Sequence, residues 1–177
     1  MTFSELQAAF EDYTGVVGEI DDAELAIWFN EAQLDLALDF GPIKNVALTP
    51  NSNGIAALPP DCIKLLDAAS DYVWTAGGSL VFNTTNDVNI TYRAMPDPIH
   101  VFTGANPDQT PDLPYMLHYL LAVYATSLYW YRESEGDAEE MTLAREWMSR
   151  YQMAKKNFLG KMNVAGDYID RWIVEEY

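Results

Sequence analysis

Positive charge is the first thing this chain of 177 residues lacks. Between Met1 and Ile43 there is no Lys or Arg, while Glu5, Glu11, Asp12, Glu19, Asp21, Asp22, Glu24, Glu31, Asp35 and Asp39 all fall there. The whole chain holds 10 basic and 27 acidic residues, a formal net charge of −17. A protein that grips nucleic acid neutralises phosphates with Lys and Arg, so this balance excludes tight DNA or RNA binding. It also gives no hold on an anionic membrane surface. It leaves room for a protein past which DNA slides without being held. Cysteine is nearly absent too: Cys62 stands alone, which excludes an internal disulfide or a thiolate metal cluster in this stretch. The glycines are scattered at turns, so there is no phosphate-cradling loop. The start, MTFSELQAAFEDY, has neither the basic nor the apolar region of an export signal, and the expectation is a soluble protein made in a cytoplasm.

What is present is one long run without Asp, Glu, Lys or Arg, from Leu113 to Tyr131, LPYMLHYLLAVYATSLYWY. Asp112 and Pro114 suit a helix start, and Arg132 and Gly136 suit its end. Its apolar residues fall on every side, as in a helix at the centre of a domain or in lipid. The length approaches a bilayer span. Against lipid, Tyr124 would sit near the bilayer centre, and no basic cluster flanks the run to orient it. The run reads as the central helix of a bundle, with His118 a core histidine satisfied by hydrogen bonds.

The rest of the chain organises around that helix. Thr2 and Glu5 have capping-box spacing, and Phe3, Leu6, Ala9, Phe10 and Tyr13 follow at helical spacing up to Gly15. Asp21 and Glu24 repeat the start signal for a second helix that Gly41-Pro42 stops. Its apolar face is Leu25, Trp28, Phe29, Ala32, Leu36 and Phe40, and Ile27, Leu34 and Leu38 flank a strip of Glu31, Asp35 and Asp39. Apolar surface on two sides suits a helix that packs in its own domain and against a neighbouring subunit. From Lys44 to about Thr103 short β-prone runs alternate with turn signals, VWTAGGSLVF reads as a hairpin, and VNITYRA alternates as a strand with one buried face. A fourth helix follows from about Ala138 to Lys161, with an apolar stripe of Ala144, Trp147, Met148, Tyr151, Ala154 and Phe158. The short connection before it predicts antiparallel packing on the central helix.

The fold expected is therefore α+β and mainly helical: an antiparallel bundle of about four helices, residues 1–161, with a small antiparallel sheet inserted at about 44–103. Residues 162–177 form an extended C-terminal arm. Tyr168, Ile169, Trp172, Ile173, Val174 and Tyr177 are too many apolar residues for so short a segment to bury on itself, so it reads as a docking arm, onto this domain or a partner.

Catalytic chemistry finds little support. Glu31, Asp35 and Asp39 at i, i+4, i+8 can in principle hold a cation or supply paired carboxylates, but the Glu-x-x-His motifs of helical di-metal sites are absent. Cys62 follows Pro-Pro-Asp with no His partner in view, and no Ser-His-Asp set assembles. The expectation is a non-enzyme without catalytic residues, metal or cofactor.

Four segments occur in an order that carries more information: ALPPDCIKLLDA, VNITYRAMPDP, PDLPYMLHYLLAVYATSLYW and GDAEEMTLAREWMSRYQMAKKNF. Their succession resembles the head-to-tail adaptor (connector, or neck) proteins of tailed bacteriophages and gene transfer agents. The shared features are "LP-x-D" opening a strand, "I-T-Y-x-x-x-P" closing one, "LP" opening a helix and "GD" starting the last. The doubled proline of Leu58-Pro59-Pro60-Asp61 departs from the pattern and puts the local strand register in doubt. The resemblance implies a virion protein that forms a homo-oligomeric, dodecameric ring beneath the portal protein. Such a ring meets a tail, nozzle or stopper protein on its other face, and genomic DNA passes through without specific binding. On this reading Tyr168 to Tyr177 dock on the portal, and Glu31, Asp35 and Asp39 line the channel, where an acidic lumen repels phosphate. Other expectations remain open: another neck or tail completion protein of the same particle, a small acidic metal-binding enzyme, and a membrane-associated factor using Leu113–Tyr131.

Overall fold

A computed structural model describes residues 1–75, 77–100 and 109–164. The chain divides into two compact units, Met1–Gln33 with the described part of Pro98–Tyr177, and Leu34–Asp97. The division falls inside the second helix, ten residues before Lys44, where the sequence marks the start of the β-rich segment.

The first unit is helical. α1 (Phe3–Thr14) starts on a complete capping box: the Thr2 hydroxyl accepts from the Glu5 N–H, and the Glu5 carboxylate accepts from the Thr2 N–H. It ends at Gly15, whose φ of 75° lets the chain turn off the helix. α2 (Asp22–Phe40) begins after Asp21, whose carboxylate accepts from the Ala23 N–H. Glu24 does not complete a second box as its spacing suggests. Its carboxylate reaches Arg132 at 2.8 Å, because a full ionic partner competes better for it than a single N–H.

The central run departs from one continuous helix. Pro114 has ψ 130°, outside helical values, and a single 3-10 turn (Tyr115–Leu117) intervenes before α3 (Tyr119–Glu133). The His118 ring bonds the Leu113 carbonyl at 2.8 Å across this turn. Leu117, Leu120 to Val123, Ala125 to Ser127 and Tyr129 are buried, as expected of a central helix. The ends are not: Tyr115, Met116 and Tyr131 are exposed. Among the described residues no helix is long and apolar enough to cross a membrane.

α4 (Ala138–Val164) packs along α3, placing Tyr151 against Tyr124 and Phe158 near Tyr119. Ala144 and Tyr151 are buried, and Trp147, Met148, Ala154 and Phe158 half-buried, so the apolar stripe faces the bundle. Aromatic contacts tie the remaining helices together: Phe3 meets Phe29 and Tyr13 meets Trp147, while Arg132 meets Trp28.

The second unit holds two three-stranded antiparallel sheets where one was expected. Its strands are β1 (Ile43–Leu48), β2 (Ile55–Ala57), β3 (Cys62–Ala68), β4 (Tyr72–Trp74), β5 (Ser79–Phe82) and β6 (Val88–Ala94). β6 is central to one sheet, ordered β1-β6-β3, and β5 to the other, ordered β2-β5-β4. Val88, Ile90, Tyr92 and Ala94 alternate inward from β6 and form one core with Leu48, Ala56, Leu80 and Phe82. The β4–β5 hairpin is the one read from VWTAGGSLVF, with Gly78 at φ 75°. The register after the doubled proline is resolved: Cys62 faces Ala94, with shifts between Cys62 and Lys64 and between Leu65 and Asp67.

Candidate functional site

Asp61 is the side chain around which the second unit's polar contacts gather. Its carboxylate accepts from Lys44 Nζ at 2.8 Å and from the Tyr92 hydroxyl at 3.1 Å, and its carbonyl accepts from the Met95 N–H at 2.6 Å. It thereby ties β1, β6 and the exit of β6 to the start of β3. The hydrogen bond from Lys44 holds the Asp61 carboxyl below the usual carboxylate range. Burial pushes the Tyr92 hydroxyl upward, and the bond to Asp61 adds to it. A buried tyrosine held neutral beside a paired aspartate is a structural clamp; no acid or base is poised near neutral pH. Asp61 and Tyr92 belong to the "LP-x-D" and "I-T-Y" segments, so the two motifs meet in space.

His118 is 4% exposed and fully partnered: Nδ1 lies 2.8 Å from the Met1 amino nitrogen and Nε2 2.8 Å from the Leu113 carbonyl. Nε2 therefore carries the proton and donates to Leu113, while Nδ1 accepts from Met1. Burial pushes the imidazole below its ordinary value. A neutral, doubly bonded ring holds chain segments together and offers no lone pair to a substrate.

Two polar residues of α2 have a comparable task that periodicity did not reveal. The Asn30 amide exchanges two hydrogen bonds with the backbone of Ile99, at 2.7 and 2.9 Å, and Gln33 Oε1 accepts from the Asp112 N–H at 3.0 Å. They fix both ends of the connector that the sequence leaves as linker.

The acidic strip is uneven. Glu31 is exposed, whereas Asp35 and Asp39 are half-buried. Asp39 favours the charge of Arg93, whose guanidinium burial depresses and whose Nη1 donates to the Gly41 carbonyl at 3.0 Å. The strip therefore does not present three equivalent carboxylates. Among the described residues no group of three or more His, Cys, Asp or Glu is arranged to hold a metal ion. The arm residues Tyr168, Ile169, Trp172, Ile173, Val174 and Tyr177 lie outside the described residues.

The more informative surfaces are apolar. Ile27, Leu34 and Leu38 on α2 are 57%, 44% and 45% exposed, the second apolar face expected from the sequence. In the second unit Ile55, Val81 and Val73 stand in one row across the β2-β5-β4 sheet, on the face opposite buried Ala56 and Leu80. Val73 is 70% exposed and Trp74 51%, on an edge strand. A groove between α3 and α4 is lined by Leu128, Tyr131, Met141 and Met148. No family model matches the chain, and no curated protein matches it in sequence.

Proposed function

We propose that the chain is a head-to-tail adaptor of a tailed bacteriophage or gene transfer agent. In this reading it forms a dodecameric ring beneath the portal, joins the capsid vertex to the tail or nozzle, and forms part of the channel through which DNA leaves. The observation that carries it is the ordered succession of the four sequence segments over a helix pair, a β insertion and a second helix pair. The meeting of two of those segments at Asp61 and Tyr92 supports treating them as one pattern. Exposed apolar surface on α2 and on the outer sheet face fits a subunit of an assembly. A net charge of −17 fits a channel that DNA traverses without being trapped. The protein is structural, with no catalytic role and no cofactor, and its place is the neck of the virion.

The test is cryo-electron microscopy of the protein co-expressed with the portal protein of the same genome, together with a chain ending at Asn163. A ring stacked on the portal, lost on truncation, supports the adaptor and the arm together. A ring that survives truncation keeps the adaptor and removes the arm's role. A well-formed portal with nothing bound beneath it rejects the proposal.

A further inference from the structure

The charge of this chain is segregated by helix, and the adaptor reading does not use that fact. α1 and α2 contain no Lys or Arg, whereas α4 carries Arg145, Arg150, Lys155, Lys156 and Lys161, half of the 10 basic residues in the chain. From Arg150 to Val164 there is no acidic residue at all. Each of the two helices also leaves apolar side chains uncovered beside its charge. On α2, Ile27, Glu31, Leu34 and Leu38 succeed one another at helical spacing on one face, all exposed. On α4, Arg150, Met153 and Lys156 follow at three-residue spacing and are all exposed, Met153 at 63%, one turn beyond the exposed Glu146. Beside Lys156 the surface dips into a shallow depression over Asn157 and Gly160, where small side chains leave room for a partner's. Neither Glu31 nor Lys156 makes an ion pair among the described residues.

We infer that the outer face of α2 in one copy packs on the outer face of α4 in the next. The inference deepens the adaptor reading, and rests on it for the expectation that copies associate at all. The occupant is a second copy because the match is reciprocal within one sequence: Glu31 among the aliphatic side chains of α2, and Met153 between Arg150 and Lys156 in the acid-free second half of α4. Joining two different surfaces gives a heterologous, head-to-tail contact, the kind that closes into rings. A two-fold contact of α2 on α2 would set Glu31 against Glu31 and is disfavoured by like charge. Opposed charge fixes the register, and Ile27, Leu34, Leu38 and Met153 supply the area that leaves water.

The experiment is a charge exchange in the full-length protein, read by sedimentation velocity up to roughly millimolar concentration, the weakest association worth assigning. Wild type should self-associate, less so at high salt. Glu31→Lys and Lys156→Glu should each weaken association by about tenfold or more, because each alone creates a like-charge pair. An equimolar mixture of the two variants should restore it. In alternating copies the lysine introduced on α2 of one variant meets the glutamate introduced on α4 of the other, and the next contact keeps the native Glu31 and Lys156. Circular dichroism of each variant checks that the helices are intact. Wild type that stays monomeric throughout, single variants without effect, or a mixture no better than its components each overturn the inference; the face then belongs to another partner. No portal is present in this assay, so it can fail while a portal-bound ring upholds the adaptor reading, and the reverse.

Discussion

Replacing Asp61 with Ala should destabilise the second unit by about 2–3 kcal/mol, and the size follows from what is left behind. Tyr92 is 4% exposed as a residue, and its hydroxyl loses its acceptor at a partly buried position beside Asp61. An orphaned buried hydroxyl costs about 1–3 kcal/mol. The Lys44 ion pair adds little: the two side chains are 52% and 32% exposed, and solvent screening limits such a pair to at most about 1 kcal/mol. Tyr92→Phe removes the donor and leaves Asp61 with Lys44, so it should cost about 1 kcal/mol. The double variant should then be no worse than Asp61→Ala alone, because the orphaned hydroxyl is gone, a coupling of about 1 kcal/mol. Trp74 is the only tryptophan between Leu34 and Asp97, so 19F resonance of incorporated 5-fluorotryptophan follows this unit alone during urea unfolding. The pH dependence has a definite sign. The Asp61 carboxyl is held below its unfolded value, so its contribution is present above the unfolded value near 3.8 and is lost as pH falls through the folded one. Asp61→Ala within about 0.5 kcal/mol of wild type, or strict additivity with Tyr92→Phe, would refute the clamp.

Three further outcomes follow from local geometry. The His118 imidazole should titrate below 6.5 by NMR; because burial depresses it in the fold, stability should rise with pH between the folded value and 6.5, and a value above 6.5 would contradict its buried, neutral state. Gly54→Ala should lose more than about 1 kcal/mol by urea unfolding, since φ is 75° and an added Cβ runs into the Phe82 carbonyl; wild-type stability would place the turn elsewhere. Arg132 pairs with Glu24 and Glu133 at 2.8 Å and lies over the rings of Trp28 and Tyr129, so Arg132→Met, which keeps the stem, should cost less in thermal unfolding than Arg132→Ala. Equal losses for the two would assign Arg132 an ionic role only.

Periodicity made most of the secondary structure legible. The capping box at Thr2 and Glu5, the hairpin at VWTAGGSLVF, the alternation in VNITYRA and the stripe of α4 all appear where hydrophobic spacing and turn chemistry put them. The misses share a physical cause, which is that they depend on partners distant in sequence. Glu24 has capping-box spacing but is drawn to Arg132, 108 residues away. Asn30 and Gln33 read as ordinary polar residues of a helix, yet they hold a connector 69 and 79 residues further on. One sheet became two because strand order is a matter of pairing, and pairing across loops of this length leaves no local mark. Among the candidate site residues, the second apolar face of α2 was legible because three aliphatic side chains recur beside an acidic strip. The inequality within that strip was not, since the partial burial of Asp35 and Asp39 and the exposure of Glu31 depend on the surrounding fold and not on their spacing. Asp61 carried a signal, its place in a family-like segment, but the segment gave no hint of Tyr92 and Lys44 as partners.

The central claim is that this chain is a ring-forming adaptor under a portal. The measurement that bears on it most directly is cryo-electron microscopy of the chain co-expressed with the portal protein of the same genome. The account predicts a dodecameric ring stacked coaxially on the portal, with the described residues forming its wall. A complete portal with no density beneath it, under conditions where both proteins are soluble and abundant, would contradict it.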